Sequence, residues 1–427
     1  MTMERLVSSP PPASAATQAP PQAPARASIA VPGTAAPPPG SGRLTSLDVF
    51  RGFTMLFMAS EIMRIPQVAR TFDNTVAQWI AWSLDHVPWV GASPWDLIQP
   101  AFMFMVGVSL PFSLASRRAR GQSFRHMLGH AIYRAVVLIL LGIYLRSNGR
   151  PQTYFTFEDV LTQIGLGYVF LFLLAHVRPT VQWLSAGLIL FGYWLAFALF
   201  PLPGPGFNTA SVGVPPDWPH QLQGFAAHWN KNTNFAAWFD QWFLNLFPRE
   251  EPFVYNRGGY LTLNFIPSLA TMMFGLLAGE LLRTRREASE KLRMMLAFGA
   301  LGIVLGLLLH VLGVVPLVKR IWTPSWAIFS GGWAVLFLAF FYYVLDMKGY
   351  RRWAFPFLVV GMNSIAMYVL VHETTGYIVD TMRIHLGSGF FELFGAEFEP
   401  ITSGGAALLV LWLTLFWMYR RRIFLKV

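Results

Sequence analysis

The sequence predicts an all-α protein, a polytopic bundle of about ten membrane-spanning helices with both termini in the cytoplasm. Three observations carry this. Apolar residues make up 54% of the chain and charged ones only 12%. The mean hydropathy is +0.46. The apolar residues also fall into a row of segments, each near the roughly 20 residues that cross a hydrocarbon core. A soluble chain of 427 residues needs less apolar surface than this for its cores.

The elements follow in order. Residues 1–42, rich in Pro, Ala and Ser, are too poor in bulky apolar side chains to offset the entropy of ordering. They read as a disordered cytoplasmic tail without the apolar core of a signal peptide. Residues 43–427 form the transmembrane domain. Spans are expected at 47–66, 95–115, 128–146, 158–176, 181–200, 260–282, 293–313, 325–345, 354–372 and 401–419. Between the fifth and sixth lies an extracytoplasmic loop at about 201–259. Within it, NFAAWFDQWFLNLF sets Phe235, Trp238, Phe239, Trp242, Phe243 and Leu246 on one helical face. That is the pattern of an amphipathic helix in the outer interface, with Asp240 and Asn245 on its polar side.

Basic residues set the expected orientation. Alternate loops and the termini, with Arg117, Arg118, Arg285, Arg351 and Arg420 among them, carry twenty Lys and Arg; the opposite side carries ten. The richer side is cytoplasmic, against anionic lipid heads, so the net charge of +11 needs no nucleic acid to explain it. The chain has no cysteine, which excludes a thiol nucleophile and cysteine-based metal sites. There is no Walker loop, dinucleotide turn, HExxH or Gly-x-Ser-x-Gly elbow, and no metal is expected.

With this topology, polar residues from distant parts of the chain share the outer face: Glu61, Asp85, His86, Asp96, Lys319, Arg320, His372 and Glu373. Each has an ordinary alternative. In SPWD, Ser93 and Asp96 have the spacing of a capping box at the start of the second span. His86 could be an interfacial histidine. Glu61 is harder to dismiss, because an ionisable group inside a span usually faces a cavity or the bundle interior.

Several motifs then occur in order: RLTSLDVFRGFTMLFM, HVPWVGASPWDLIQPAFMFMVGVSLPFS, IPSLATMMFGLLAGE, PLVKRIWTPSW and GMNSIAMYVLVHE. Together they resemble the heparan-α-glucosaminide N-acetyltransferase-like membrane proteins and their bacterial relatives, over nearly everything after residue 42. The resemblance implies an acyltransferase that moves acetyl from acetyl-CoA to an amino sugar or other envelope glycan at an extracytoplasmic site. It implies that His86 is the general base or the acyl carrier; the two mechanisms stay open. Asp96 and Glu61 would orient or polarise it. Trp89, Asn363, His372 and Glu373 would line the acceptor side, and Lys319, Arg320 and Trp322 would hold the donor. Where lysosomal members carry an asparagine near the outer end of the first span, this chain reads MASEIMR, with Glu61 close to that place. The expected setting is a bacterial inner membrane, with lipid as a partner and a second copy of the chain as a further one that could pair with it. The alternative reading is a proton-coupled transporter of a small solute or glycan precursor, with Glu61 and His372 in its relay.

Overall fold

The computed structural model describes residues 44–425; the tail expected at 1–42 lies outside them. Among the described residues the architecture is helical. The chain runs through α1 (Thr45–Ala59), α2 (Ile65–Ala69), α3 (Thr75–Ser83), α4 (Ile98–Ala119), α5 (Phe124–Ser147), α6 (Val160–Leu174) and α7 (Pro179–Leu199). It continues through α8 (Phe235–Phe243), α9 (Phe265–Arg283), α10 (Ala288–Val311), α11 (Pro324–Phe341), α12 (Phe355–Met362), α13 (Ser364–Leu386) and α14 (Glu399–Arg420).

Seven helices are long and apolar enough to cross a membrane, and the bent pair α12–α13, turning by 72°, counts as an eighth if it is one span. The chain is thus an integral multi-pass membrane protein. Helices also stand at the other two expected span positions, but α1 and α6 have only 15 residues each. Local chemistry fixes many starts. Ser123 and Asp159 cap α5 and α6 through their side chains, and proline opens α7 and α11.

Close backbone approach organises the bundle. α4 lies along α9, where a Cβ on Gly107 would sit 1.8 Å from the Met272 carbonyl oxygen. α1 lies along α12, where a Cβ on Gly52 would sit 1.7 Å from the carbonyl oxygen of Phe357. Only glycine permits these contacts, which gain dispersion where lipid supplies no hydrophobic drive. By contrast α10 packs chiefly on α11 and leaves Leu301, Val304, Leu308 and Val311 exposed, as a lipid-facing surface requires.

One end of the bundle is closed by a cap of loops whose core is Trp89, Phe197, Trp229, Leu261, Val318 and Ile321. The 235–246 segment is helical and exposes Trp238, Trp242 and Leu246, but Asp240 does not lie on its polar side. It is 1% exposed and accepts a hydrogen bond from the Thr262 N–H at 2.9 Å, pinning the helix to the start of α9. The amphipathic period predicts the apolar stripe and cannot show which flank of it meets protein. Burial pushes the Asp240 carboxyl up to about 7, against the bonds from Thr262.

Candidate active site

The stretch before α4 folds by its own short-range chemistry. Ser93 and Asp96 form a capping box on the turn Pro94–Leu97 that leads into α4, with Pro94 at its first position. Asp96 is 0% exposed, so all its lone pairs need partners. Its Oδ2 accepts the Ser93 N–H at 3.1 Å and, more loosely, the Val87 N–H at 3.4 Å. Its Oδ1 lies 2.7 Å from Nδ1 of His86. Asp96 therefore caps the turn with one oxygen and meets the His86 ring with the other.

Lys319 enters the same cluster from 233 positions away. Its ammonium is 3.3 Å from Asp96 Oδ1 and 3.0 Å from His86 Nδ1, and the residue is 4% exposed. An ionised carboxylate can only accept, so the proton between Nδ1 and Oδ1 belongs to the ring. Lys319 then donates to the carboxylate. With Nδ1 turned to the carboxylate, the other ring nitrogen, Nε2, is the one a base or nucleophile would use. The His86 side chain stays 33% exposed, reachable from the adjoining cavity.

Backbone contacts hold the two loops in register. Val90 bridges Val318, and the Gly91 N–H donates to the Leu317 carbonyl at 2.9 Å. Gly91 has φ +116°, a conformation side chains rarely adopt. Trp322 sits at φ 46°, buried, with its indole N–H on Thr271 Oγ1 at 3.2 Å. Strain of this kind persists where surrounding contacts over-determine it. Here it closes the turn that carries Lys319.

His86 and Lys319 face a cavity of about 690 Å³ that also takes in Glu61, Arg146, Glu158 and His372. A second cavity, of about 780 Å³, is lined by Arg51, Arg117, His130 and Arg134. Phe102, Val160 and Tyr368 line both, standing as a shared wall between them. Tyr368 stacks on His372 at 4.5 Å between ring centroids, and its carbonyl bonds His372 Nδ1 at 2.8 Å.

Several residues expected at the site lie elsewhere. Trp89 is fully buried in the cap, with its indole N–H on the Trp229 carbonyl at 3.1 Å, and is no part of the cavity wall. Asn363 is 1% exposed at the α12–α13 break; its side chain holds the Ile423 carbonyl at 2.8 Å and the Leu425 N–H at 3.0 Å. Glu373 bonds Asn148 at 2.5 Å outside the lining. Lys319 is 4% exposed and held against Asp96 and His86, and Trp322, 1% exposed, lines neither cavity. Arg320 instead braces the cap, donating to the Gly258 carbonyl at 2.8 Å and stacking on Tyr260. Glu61 lines the cavity from an exposed position, with no hydrogen bond to His86 among the described residues.

Sequence reasoning missed Glu158, Arg146 and Tyr368. Glu158 precedes α6, where its neighbour Asp159 carries the visible capping signal. Its carboxyl is pushed above the ordinary carboxylate range by burial, against the Arg146 charge and hydrogen bonds from Thr156 and Asn256. Among the described residues, no group of three or more His, Cys, Asp or Glu is arranged to hold a metal ion.

No family model matches the chain. It is similar to heparan-alpha-glucosaminide N-acetyltransferase of Homo sapiens, 26% identical over 90% of this chain and 60% of that protein. The Mus musculus protein of the same name is 26% identical over 77% of this chain and 53% of its own length. The chain thus spans little more than half the length of the curated relatives it matches, and it is a distant relative of that family.

Proposed function

We propose that the chain is a membrane acetyltransferase that acetylates an amine, on an amino sugar or envelope glycan, at the His86 end of the bundle. The observation that carries this is the buried Asp96–His86–Lys319 cluster lining a cavity that meets a second, cationic cavity at a shared wall. The named activity of the distant relatives agrees with it.

Asp96 holds the imidazole at the cavity wall through Nδ1, and Lys319 neutralises the carboxylate at the centre of the cluster, its ammonium 3.5 Å from Nε2. Nε2 can take a proton from the attacking amine or carry the acetyl group itself. The resemblance implies acetyl-CoA as the donor, which supplies the activated thioester. The second cavity suits it better than Lys319, Arg320 and Trp322 do. Arg51, Arg117 and Arg134 are cations in reach of phosphates, and the shared wall is built from Phe102, Val160 and Tyr368. The twenty-to-ten bias of basic residues makes that end cytoplasmic, so donor and acceptor would enter from opposite faces, across a ten-span domain with both termini inside.

A transporter reading keeps one observation in its favour: two cavities meeting beside a span broken by 72°. The break itself, however, is occupied by the C-terminal residues that Asn363 holds. Incubating purified protein with labelled acetyl-CoA and a panel of amino sugars separates the two. CoA release matched by amide formation supports transfer, and uptake into proteoliposomes without CoA release supports transport.

A further inference from the structure

Acetylating an ammonium group forms one C–N bond, breaks the thioester C–S bond and removes two protons from nitrogen. One proton ends on the sulfur of the leaving thiol, and the other must reach solvent. His86 Nε2 can handle one of them at a time. An amine that arrives charged has no lone pair to attack with, so another base must act before the chemistry starts.

Four carboxylates line the His86 cavity: Glu61, Asp85, Glu158 and Asp159. Asp85 is spent on the Arg70 guanidinium and on the His86 N–H, 2.7 Å away. Asp159 is spent on α6, its Oδ1 taking the Leu161 and Thr162 N–H groups and its Oδ2 the Thr162 hydroxyl. Glu61 stands exposed at the rim, without a hydrogen-bond partner to aim it among the described residues. Glu158 is half-buried and aimed. Asn256, from the outer loop, donates to its Oε2 at 2.6 Å, and Asn256 is itself fixed by accepting the Tyr260 N–H at 3.2 Å.

We infer that Glu158 is the carboxylate that receives the acceptor's ammonium group in this cavity and takes its first proton, making the site specific for amines. The inference rests on the acetyltransferase reading above. The ammonium N–H breaks, the proton moves to Glu158, and the open cavity returns it to solvent. The neutral amine then attacks the acyl carbon, and its second proton passes to Nε2 and on to the thiol. Glu158 thereby divides the work with His86: one makes the nucleophile, the other completes the transfer.

The test uses the full chain, glucosamine as the probe amine and acetyl-CoA as donor, with the rate read as a ratio of variant to wild type across pH. Glu158→Gln keeps the shape and the Asn256 contact but cannot accept a proton. The expected deficit is about 100-fold at pH 6, where the amine is charged, narrowing to about tenfold or less at pH 9, where it arrives neutral. Asn256→Ala, which frees the carboxylate without removing it, should show the same narrowing with a smaller deficit, and it stands in if the first variant does not fold. A deficit that stays constant with pH in both variants, or no deficit, overturns the role of Glu158 while leaving the acetyltransferase reading intact. A wild-type protein that acetylates no amino sugar overturns that reading, and the role of Glu158 with it.

Discussion

The two cavities are built on different principles. The one at His86 is lined by loops and helix starts whose polar groups are committed in detail: Asp96 divides its oxygens between cap and imidazole, and Lys319 is buried against both partners. The second is lined by helix faces, with Arg51, Arg117 and Arg134 spread along α1, α4 and α5 and Asp48 beside Arg51. Arg134 meets Tyr168 through a hydrogen bond at 3.2 Å and its ring face. Chemistry needs atoms held in place and a large anion needs charge within reach, so the proposed function puts reaction at the His86 end and donor binding at the other.

The comparison can be broken most severely at His86. His86→Ala should leave the protein folded, since a partly exposed loop histidine buries little, while transfer falls by about 100-fold or more. A folded variant that keeps most of the wild-type rate would remove chemistry from the His86 cavity. Asp96→Asn should act on rate and stability together. It loosens the imidazole and leaves Lys319 buried without its counter-charge, so a thermal or denaturant melt should register a loss of about 3 kcal/mol. The second cavity should respond differently. Arg117→Ala combined with Arg134→Ala should raise the KM for acetyl-CoA about tenfold at nearly constant kcat, because rim charges act on binding and encounter. A fall in kcat with KM unchanged would move chemistry to the second cavity.

The smallest expected effect concerns the cap. The folded-state pKa of Asp240 is raised to about 7 from a usual 3.8, so its neutral form favours the folded cap. That contribution is complete below about pH 4 and is lost as pH rises through about 7. Hydrogen exchange across 235–246 should therefore quicken beyond its intrinsic rate as pH rises from about 4 to about 7, and Asp240→Asn should flatten that excess. An excess that persists in Asp240→Asn would assign it to another group.

Much of this was legible in the sequence, for local reasons. Hydropathy alone marks the membrane helices, and SPWD announces its capping box within four residues. His86 stands out in the sequence because its motif is contiguous. Lys319 was legible only as a loop cation, since its burial against Asp96 goes with the Val90–Val318 bridge between segments more than two hundred residues apart. Asn363 and His372 were grouped because both sit in one apolar run. At 1.5 Å per residue, nine residues of helix carry them about 13 Å apart. Asn363 stands at the break holding the C-terminal segment, His372 lines the His86 cavity, and Tyr368 between them lines both cavities. Glu158 was hidden beside Asp159, whose capping role is the only signal a single sequence gives there.

The central claim, that donor and acceptor meet from opposite ends of one bundle, is tested most directly in sealed proteoliposomes of known orientation. The native chain has no cysteine, so a single cysteine at position 118 reports orientation through an impermeant thiol reagent. With acetyl-CoA supplied only on the side of residue 118 and glucosamine only on the other, N-acetylglucosamine should accumulate in the glucosamine compartment while CoA appears with the donor. Product formed only when both substrates share one compartment would contradict the account.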